Sequence, residues 1–191
     1  MLLTARDVIH APVAQVVHLI RDNLSELVPF LPNIAKIERV ELKDHATLRA
    51  AESATEQTRL NHWFAKVEVP AIAKKYLRPE FFGWRELTTW GDDSLSAKFQ
   101  IESFVGKNFF EASGTYVFRA LTDHSTEITV SCEVLIHAER VRGVPELLAK
   151  TATPLIERVI RKMIEPSLST LGHCLNAYFA QDHENLTQKT L

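Results

Sequence analysis

The spacing of apolar residues changes after Pro145, and that change constrains the fold more than any other feature. Over 95–102 and again over 127–137, apolar and polar residues alternate, which is the period of half-buried β-strands. Beyond Pro145, apolar residues recur every three or four positions, which is the period of an amphipathic helix. A helix over 151–180 would reach about 45 Å, enough to cross a whole sheet. The sequence therefore predicts an antiparallel sheet followed by one long C-terminal helix.

Eight stretches have strand patterns and predict a sheet of about seven strands, and short turn sequences separate several of them. The residues at 91–93 (GDD) and 123–125 (DHS) are typical of hairpin turns, so neighbouring strands run antiparallel. Gly114 indicates a bulge or bend within its strand. For the strand around 109–120, both alternate sets of side chains are partly apolar, so the sequence does not decide which face is buried. Strand patterns occur at residues 1–10, 34–43, 48–54, 58–69, 84–90, 95–102, 109–120 and 127–137.

Two short helices are predicted between the first strand and the rest of the sheet. Pro12 suits a helix start, and apolar residues recur at helical spacing after it, up to Ile20. The second helix covers about 24–30, with Ser25 as a candidate cap. His18 and Asp22 lie four residues apart on the first helix, which favours a hydrogen bond between them. The order of elements predicts an α+β fold.

Size and composition exclude several classes of protein. The 191 residues fit one domain over 1–180 with a polar tail at 181–191, and 46% are hydrophobic. A net charge of -2 and the lack of a dense basic run argue against nucleic-acid binding. Cys132 and Cys174 are too few for a disulfide framework or a closed zinc site, so we expect buried free thiols. Without a signal peptide or an apolar run of membrane-spanning length, we expect a cytoplasmic protein with no stable membrane insertion.

Three segments together carry a family resemblance that covers nearly the full chain. Residues 7–17 (DVIHAPVAQVV) look like an entry strand, an Ala-Pro corner and a first helix. Leu31-Pro32 followed by 34–40 looks like a second corner and strand, and 114–118 with 126–130 looks like a late hairpin. By these segments the chain resembles the START-like superfamily, also called SRPBCC or helix-grip. That superfamily includes birch-pollen-allergen proteins and bacterial polyketide cyclases.

The resemblance implies a bent sheet that grips the terminal helix and leaves an apolar cavity between them. Members of the superfamily bind sterols, lipids, polyketides, plant hormones or quinones, and some are enzymes. Aromatic and apolar residues on the strands and the helix are therefore candidates for cavity lining, although the same residues also suit an ordinary core. Ser167 has a structural alternative, because its hydroxyl can satisfy a carbonyl freed by Pro166. The candidate ligand-binding residues are Trp63, Trp84, Trp90, Phe99, Ile101, Tyr116, Phe118, Met163, Ser167 and Leu171.

Three functions are compatible with these observations. The first is binding, transport or sequestration of a hydrophobic small molecule, such as a lipid, a quinone-like compound or an aromatic. The second is a polyketide-cyclase-like aldol cyclase or dehydratase, with His62, Arg59, Glu86 and Tyr116 as acid–base candidates if they point inward. The third is an interaction protein whose cavity is filled by its own side chains. The sequence lacks the GxSxG motif of nucleophilic hydrolases and the HExxH and GxGxxG motifs, so we predict no metal or cofactor. We expect a monomer or weak homodimer.

Overall fold

The computed structural model describes residues 1–41, 58–66, 83–104, 110–136 and 170–181. Within these ranges the chain forms one sheet, two short helices near the N-terminus and a helix near the C-terminus. The strands are β1 (Leu2–Ile9), β2 (Ile34–Val40), β3 (Thr58–Ala65), β4 (Gly83–Trp90), β5 (Ser96–Ser103), β6 (Phe110–Thr122) and β7 (Ser125–Ile136). The helices are α1 (Val13–Asp22), the 3-10 helix η1 (Leu24–Phe30) and α2 (170–181).

The sheet is bent and fully antiparallel, in the order β1-β7-β6-β5-β4-β3-β2. Strands β2 to β7 follow one another along the chain, and β1 closes the far edge beside β7. Because β1 and β2 lie at opposite edges, α1 and η1 must carry the chain across the sheet between them. The predicted α+β helix-grip architecture is confirmed.

The segment that joins β1 to β2 begins and ends close to the predicted positions. Pro12 precedes α1 and its carbonyl accepts the first turn's amide hydrogen bonds. The 3-10 helix η1 follows after Asn23, and no side chain caps it. The predicted cap at Ser25 is therefore wrong, because Ser25 lies inside the helix rather than before it.

The core lies between the concave face of the sheet and the three helices. Leu175 of α2 is fully buried, and Cys174 donates from its thiol to the Phe30 carbonyl over 2.9 Å. Asn176 accepts from the His10 amide and donates to the Val8 carbonyl, each over 2.9 Å or less. These bonds fix α2 against β1 and η1. Both cysteines are buried free thiols, as predicted.

The register of β6 settles which of its faces is buried. Gly114, Tyr116 and Phe118 lie opposite Cys132, Val130 and Ile128 of β7, so they share the concave face. Val117 points the other way and is 46% exposed. The predicted bulge at Gly114 is wrong, since the ladder is regular there and shifts only between Ala120 and Thr122. Glycine is needed at 114 because a Cβ would lie 2.0 Å from the Ser131 carbonyl oxygen.

Several predictions fall outside the described residues. They are the strand at 48–54, the part of the long helix before 170 and the tail at 181–191 beyond its first residue. The described part of the chain contains no helix long and apolar enough to cross a membrane. The division into a domain at 1–180 and a tail stays a prediction.

Candidate ligand site on the concave face

A small cavity lies where α1 packs over the concave face near β3, β4 and β6. Its volume is about 10 Å³, enough for roughly one water molecule. Apolar walls come from α1, the start of η1 and β4, while polar groups come from all three strands and from the end of α1. The lining residues are Ile20, Arg21, Leu24, Arg59, Asn61, Glu86, Thr88, Trp90 and Tyr116.

The strand register explains why these polar side chains converge. Asn61 lies directly opposite Glu86, and Arg59 lies directly opposite Thr88. Residues paired across antiparallel strands point to the same face, so both pairs face α1. Two neighbouring strands therefore present four polar side chains side by side within an otherwise apolar core.

Glu86 is the most deeply buried ionisable group of the cavity. It is 5% exposed, and its Oε1 accepts a hydrogen bond from the Thr88 hydroxyl over 3.1 Å. Burial raises the pKa of Glu86 to about 7, and the bond from Thr88 opposes that rise. The carboxyl group therefore changes its charge close to neutral pH.

Tyr116 brings a phenol to the same cavity. Its ring packs against Phe99, with the ring centroids 4.8 Å apart, and stacks with Phe118 at 6.4 Å. Burial raises the pKa of the Tyr116 hydroxyl well above its usual value, and the charges of Glu86 and Cys132 add to the rise. The phenol thus stays protonated and can donate a hydrogen bond.

An ion-pair cluster centred on Asp22 adjoins the cavity at the end of α1. Arg21 contacts Asp22 Oδ2 through its Nε and Nη2 atoms, each at 2.9 Å, and Arg59 Nη2 lies 3.5 Å from Oδ1. His18 Nδ1 lies 3.1 Å from Oδ2, so the predicted pairing of His18 with Asp22 is confirmed. Although burial alone raises the pKa of Asp22, the bonds from Arg21 and His18 and the charge of Arg59 lower it overall.

A third arginine reaches the same cluster from β2. Arg39 donates from Nη1 to the Asp22 carbonyl over 3.3 Å and from Nη2 to the Arg21 carbonyl. Burial lowers the pKa of Arg39, and the like charges of Arg59 and Arg21 lower it further against the opposing effect of Asp22. The guanidinium group of Arg39 is therefore affected by the charges of Arg59, Asp22 and Arg21.

The ligand-binding residues predicted from the sequence divide into three groups in the structure. Trp90 and Tyr116 line the cavity, while Phe99 and Phe118 are buried beside it. A second group is only partly buried and packs around the core without lining the cavity. Its members are Trp63, Trp84, Ile101 and Leu171, of which the two tryptophans stack with centroids 5.7 Å apart. Met163 and Ser167 lie outside the described residues. That any of these residues binds a ligand stays a prediction.

Of the acid–base candidates, Arg59, Glu86 and Tyr116 meet at the cavity, but His62 does not. His62 pairs across the sheet with Arg85 and Glu38, on the opposite face from Asn61. Its ring packs edge-on against Phe104, with centroids 4.9 Å apart. The hypothesis that His62 points inward is therefore wrong.

Five lining residues were missed, and their positions explain why. Ile20, Arg21 and Leu24 reach the cavity through the packing of α1 onto the sheet, which local periodicity does not reveal. Asn61 and Thr88 are polar residues in strands where both faces contain buried side chains, so alternation gives no sign of their direction. Among the described residues, no cluster of histidine, cysteine and carboxylate side chains is suited to hold a metal ion.

Comparison with known proteins identifies the fold. No sequence profile of a known family matches the chain, and no curated protein matches it at a significant level. TTHA0849 from Thermus thermophilus aligns with a TM-score of 0.58 and 18% identity over 93% of this chain and 98% of its own. The Zhui aromatase/cyclase from Streptomyces sp. R1128 aligns with a TM-score of 0.61 and 12% identity over 97% of this chain and 95% of its own.

A further similar structure is Ara h 8.0201, with a TM-score of 0.52 and 14% identity over 95% of this chain and 98% of that one. At these identities the alignments establish architecture rather than activity. The chain has the START-like fold that its sequence predicted.

Proposed function

We propose that the chain binds a small, largely apolar molecule whose polar end enters the cavity beneath α1. The observation that carries this proposal is the burial of Glu86 among hydroxyl, amide and aromatic groups on the concave face. A buried carboxyl group destabilises a fold unless it is fully hydrogen-bonded. Among the described residues, Thr88 is the side chain that donates to Glu86. A ligand oxygen or hydroxyl would supply a further partner.

The size of the cavity determines which part of a ligand it can hold. A volume of about 10 Å³ admits a single small group, whereas pockets for whole drug-sized molecules measure roughly 300–1,000 Å³. The apolar body of the ligand must therefore lie outside the nine lining residues or displace Ile20 and Leu24. Burying about 200 Å² of apolar ligand surface would contribute about 5 kcal/mol before the costs of association.

A cavity-filling substitution tests this location. Leu24→Trp adds a bulky ring to the cavity wall, so we expect the affinity for the neutral dye N-phenylnaphthylamine to fall by about tenfold, since overpacked sites lose their space for a guest. The matched control is Leu121→Trp, which adds the same ring at a position 41% exposed at the end of β6. Fluorescence titration measures both affinities, and native mass spectrometry with solvent extraction identifies any molecule that co-purifies.

Either of two results would contradict binding at this site. Equal dye affinity in the wild type and the Leu24→Trp variant would place the dye elsewhere. The absence of dye binding together with a clean apo mass would favour the third interpretation, in which the chain's own side chains fill its core.

A second candidate function is a cyclase or dehydratase, and the pKa of Glu86 favours it. A carboxyl group with a pKa of about 7 can accept a proton from a substrate carbon or donate one to an oxygen at neutral pH. Tyr116 stands in the same cavity as a hydrogen-bond donor to a developing oxyanion. The similarity in fold to an aromatase/cyclase adds support at the level of architecture only.

This second function predicts different effects for two substitutions. On a linear poly-β-ketone substrate, we expect Glu86→Gln to lower kcat by about a hundredfold or more, which is the usual contribution of a general acid or base. We expect His62→Gln to leave kcat unchanged, because His62 faces away from the cavity. If both variants lost activity equally, or neither lost any, the role of Glu86 in catalysis would be wrong.

A further inference from the structure

The small size of the cavity beneath α1 limits the polar group that a ligand can place there. Its volume of about 10 Å³ corresponds to roughly one water molecule, and therefore to one oxygen atom of a ligand. A carboxylate, sulfonate or phosphate group has two or more oxygens and exceeds this space. The entering group is therefore a single oxygen, which belongs to a carbonyl, a hydroxyl or an ether.

A carboxyl group and a phenol share this cavity although their strands are not neighbours. Glu86 on β4 and Tyr116 on β6 both line it, and β5 lies between the two strands. Tyr116 lies directly opposite Ala97 of β5, whose small side chain leaves room for the phenol ring to lean toward β4. The charge of Glu86 adds to the rise in the pKa of the Tyr116 hydroxyl that burial causes, so the two groups lie close enough to interact.

Burial decides in which direction these two groups form hydrogen bonds with a ligand. The Tyr116 hydroxyl stays protonated because burial raises its pKa well above the usual value. Burial also favours the neutral acid form of Glu86, and the apolar body of a bound ligand would exclude more water and favour that form further. A phenol and a carboxylic acid each have one O–H donor. Both groups can therefore donate to the same ligand oxygen.

A carbonyl oxygen suits two such donors better than a hydroxyl or an ether does. It has two lone pairs in one plane, so it can accept two hydrogen bonds at once. A hydroxyl group brings a hydrogen of its own, which needs an acceptor within the same small space. An ether oxygen is bonded to carbon on both sides and cannot enter the cavity as a terminal atom.

We propose that the ligand is an uncharged carbonyl compound, such as a ketone, whose oxygen accepts hydrogen bonds from Tyr116 and from the protonated form of Glu86. This inference rests on the proposed binding function and specifies its ligand class. Ionisation of Glu86 removes one donor and places a negative charge beside the carbonyl oxygen. The affinity for the ligand should therefore fall as the pH rises through about 7, because the ligand binds the protonated protein.

Among the described residues that line the cavity, Glu86 is the group whose charge changes in this pH range. Arg21 and Arg59 stay positively charged, and Tyr116 stays neutral. The nearby Cys132 thiol of β7 also stays neutral, because burial raises its pKa to about 11 and the charge of Glu86 adds to the rise. A change of affinity near neutral pH would therefore report Glu86.

His18 is the neighbouring side chain that the experiment must separate from Glu86. It contacts Asp22 at the end of α1, beside the cavity rather than in its lining. Histidine is the side chain that ordinarily titrates near neutral pH. The concave side chains of β5, at 97, 99, 101 and 103, are uncharged and add no further candidate.

Two dyes with one naphthalene body separate the carbonyl group from the apolar surface. Propionyl-dimethylaminonaphthalene is an uncharged ketone, and dimethylaminonaphthalene is the same body without the ketone. Displacement of N-phenylnaphthylamine measures the Kd of each dye at pH 6 and at pH 8. We expect the wild type to prefer the ketone by about tenfold at pH 6, which two hydrogen bonds between uncharged groups can supply. That preference should fall by about threefold to fivefold at pH 8, as Glu86 ionises.

Three variants test the assignment of residues. Tyr116→Phe removes one donor, so its preference for the ketone at pH 6 should be about threefold smaller than that of the wild type. Glu86→Gln replaces the acid by an amide that does not titrate, so its preference should be the same at pH 6 and pH 8. His18→Gln is the matched control and should keep the wild-type change with pH. The ratio of the two affinities cancels any change in packing that affects both dyes alike, and circular dichroism checks that each variant folds.

The outcomes distinguish this inference from the proposed function. Equal affinities of the wild type for the two dyes would overturn the carbonyl assignment while leaving the cavity as a binding site. A change with pH that persists in Glu86→Gln, or that disappears in His18→Gln, would overturn the role of Glu86. Failure of N-phenylnaphthylamine and both naphthalene dyes to bind the wild type would overturn the proposed function and this inference with it. A ketone preference that loses its pH dependence in Glu86→Gln and decreases in Tyr116→Phe would support the carbonyl site.

Discussion

The two halves of the concave face carry different kinds of side chain although they belong to one sheet. The half formed by β6 and β7 turns tightly buried apolar side chains toward the helices. The half formed by β3 and β4 turns an arginine, an amide, a carboxyl and a hydroxyl toward α1. The first set comprises Phe118, Ile128, Val130, Cys132 and Val134, and the second comprises Arg59, Asn61, Glu86 and Thr88.

This difference separates what stabilises the fold from what the fold is used for. Each fully buried side chain of the apolar half contributes roughly 1.5–3 kcal/mol relative to exposure. In the polar half, by contrast, burial of Glu86 lowers stability, because it disfavours the charged form of the carboxyl group and raises its pKa to about 7. Ionisable groups that are kept buried at a cost in stability are typical of functional sites. The predictions that follow test whether burial of Glu86 lowers the stability of the fold.

The largest expected effect is the pH dependence of stability that Glu86 imposes. Its pKa rises from 4.5 to about 7 on folding, so the folded state binds the proton more tightly than the unfolded state. Stability should therefore fall as the pH rises from about 4.5 to 7, by about 3 kcal/mol in total from this group. In Glu86→Gln that loss of stability should be absent. Urea denaturation at pH 5 and pH 8 measures the free energy of unfolding of both proteins.

Glu127→Gln provides the matched control for this prediction. Bonds from Arg6 and Arg119 lower the pKa of Glu127, so its contribution to stability is lost only as the pH falls through the acid range. Its removal should leave the decrease between pH 5 and pH 8 unchanged. If Glu86→Gln retained the full decrease in stability between pH 5 and pH 8, burial of Glu86 would not be its cause. The difference between the two halves would then not be due to Glu86.

The sequence predicted the architecture because each main element has a pattern that does not depend on its neighbours. The alternation around Phe99 and in β7 identifies strands, and the turn residues between them require antiparallel neighbours. The predicted strands begin and end within a few residues of the observed ones where the structure describes them. The Ala-Pro corner before α1 likewise marked the first helix correctly.

The site was only partly predictable, since direction across a strand and packing between elements are tertiary properties. In β3, Leu60 on one face is 1% exposed and Asn61 on the other is 5% exposed, so both alternate sets are buried. Hydrophobic alternation therefore gave no basis for choosing between His62 and Asn61 as the inward residue. Glu86 was a candidate because of its chemistry, and only the register with Asn61 placed it in the cavity.

The smallest expected effect concerns the single described hydrogen bond that moderates Glu86. The Thr88 hydroxyl donates to Oε1 over 3.1 Å and lowers the pKa of the carboxyl group against the larger effect of burial. Thr88→Val keeps the shape but removes the donor. We expect the pKa of Glu86 to rise by about one unit, since hydrogen bonds to charged groups contribute about 1.5–3 kcal/mol. Carbon-13 NMR of the Glu86 carboxyl group measures that pKa directly.

Thr88→Ser completes this test because it retains the hydroxyl while it removes only a methyl group. We expect its Glu86 pKa to match that of the wild type, and an equal rise in both variants would indicate altered packing rather than a lost bond. An unchanged pKa in Thr88→Val would mean that burial alone sets the ionisation of Glu86. The polar side chains of β3 and β4 would then not influence one another, and the difference from the apolar half would be due to the burial of Glu86 alone.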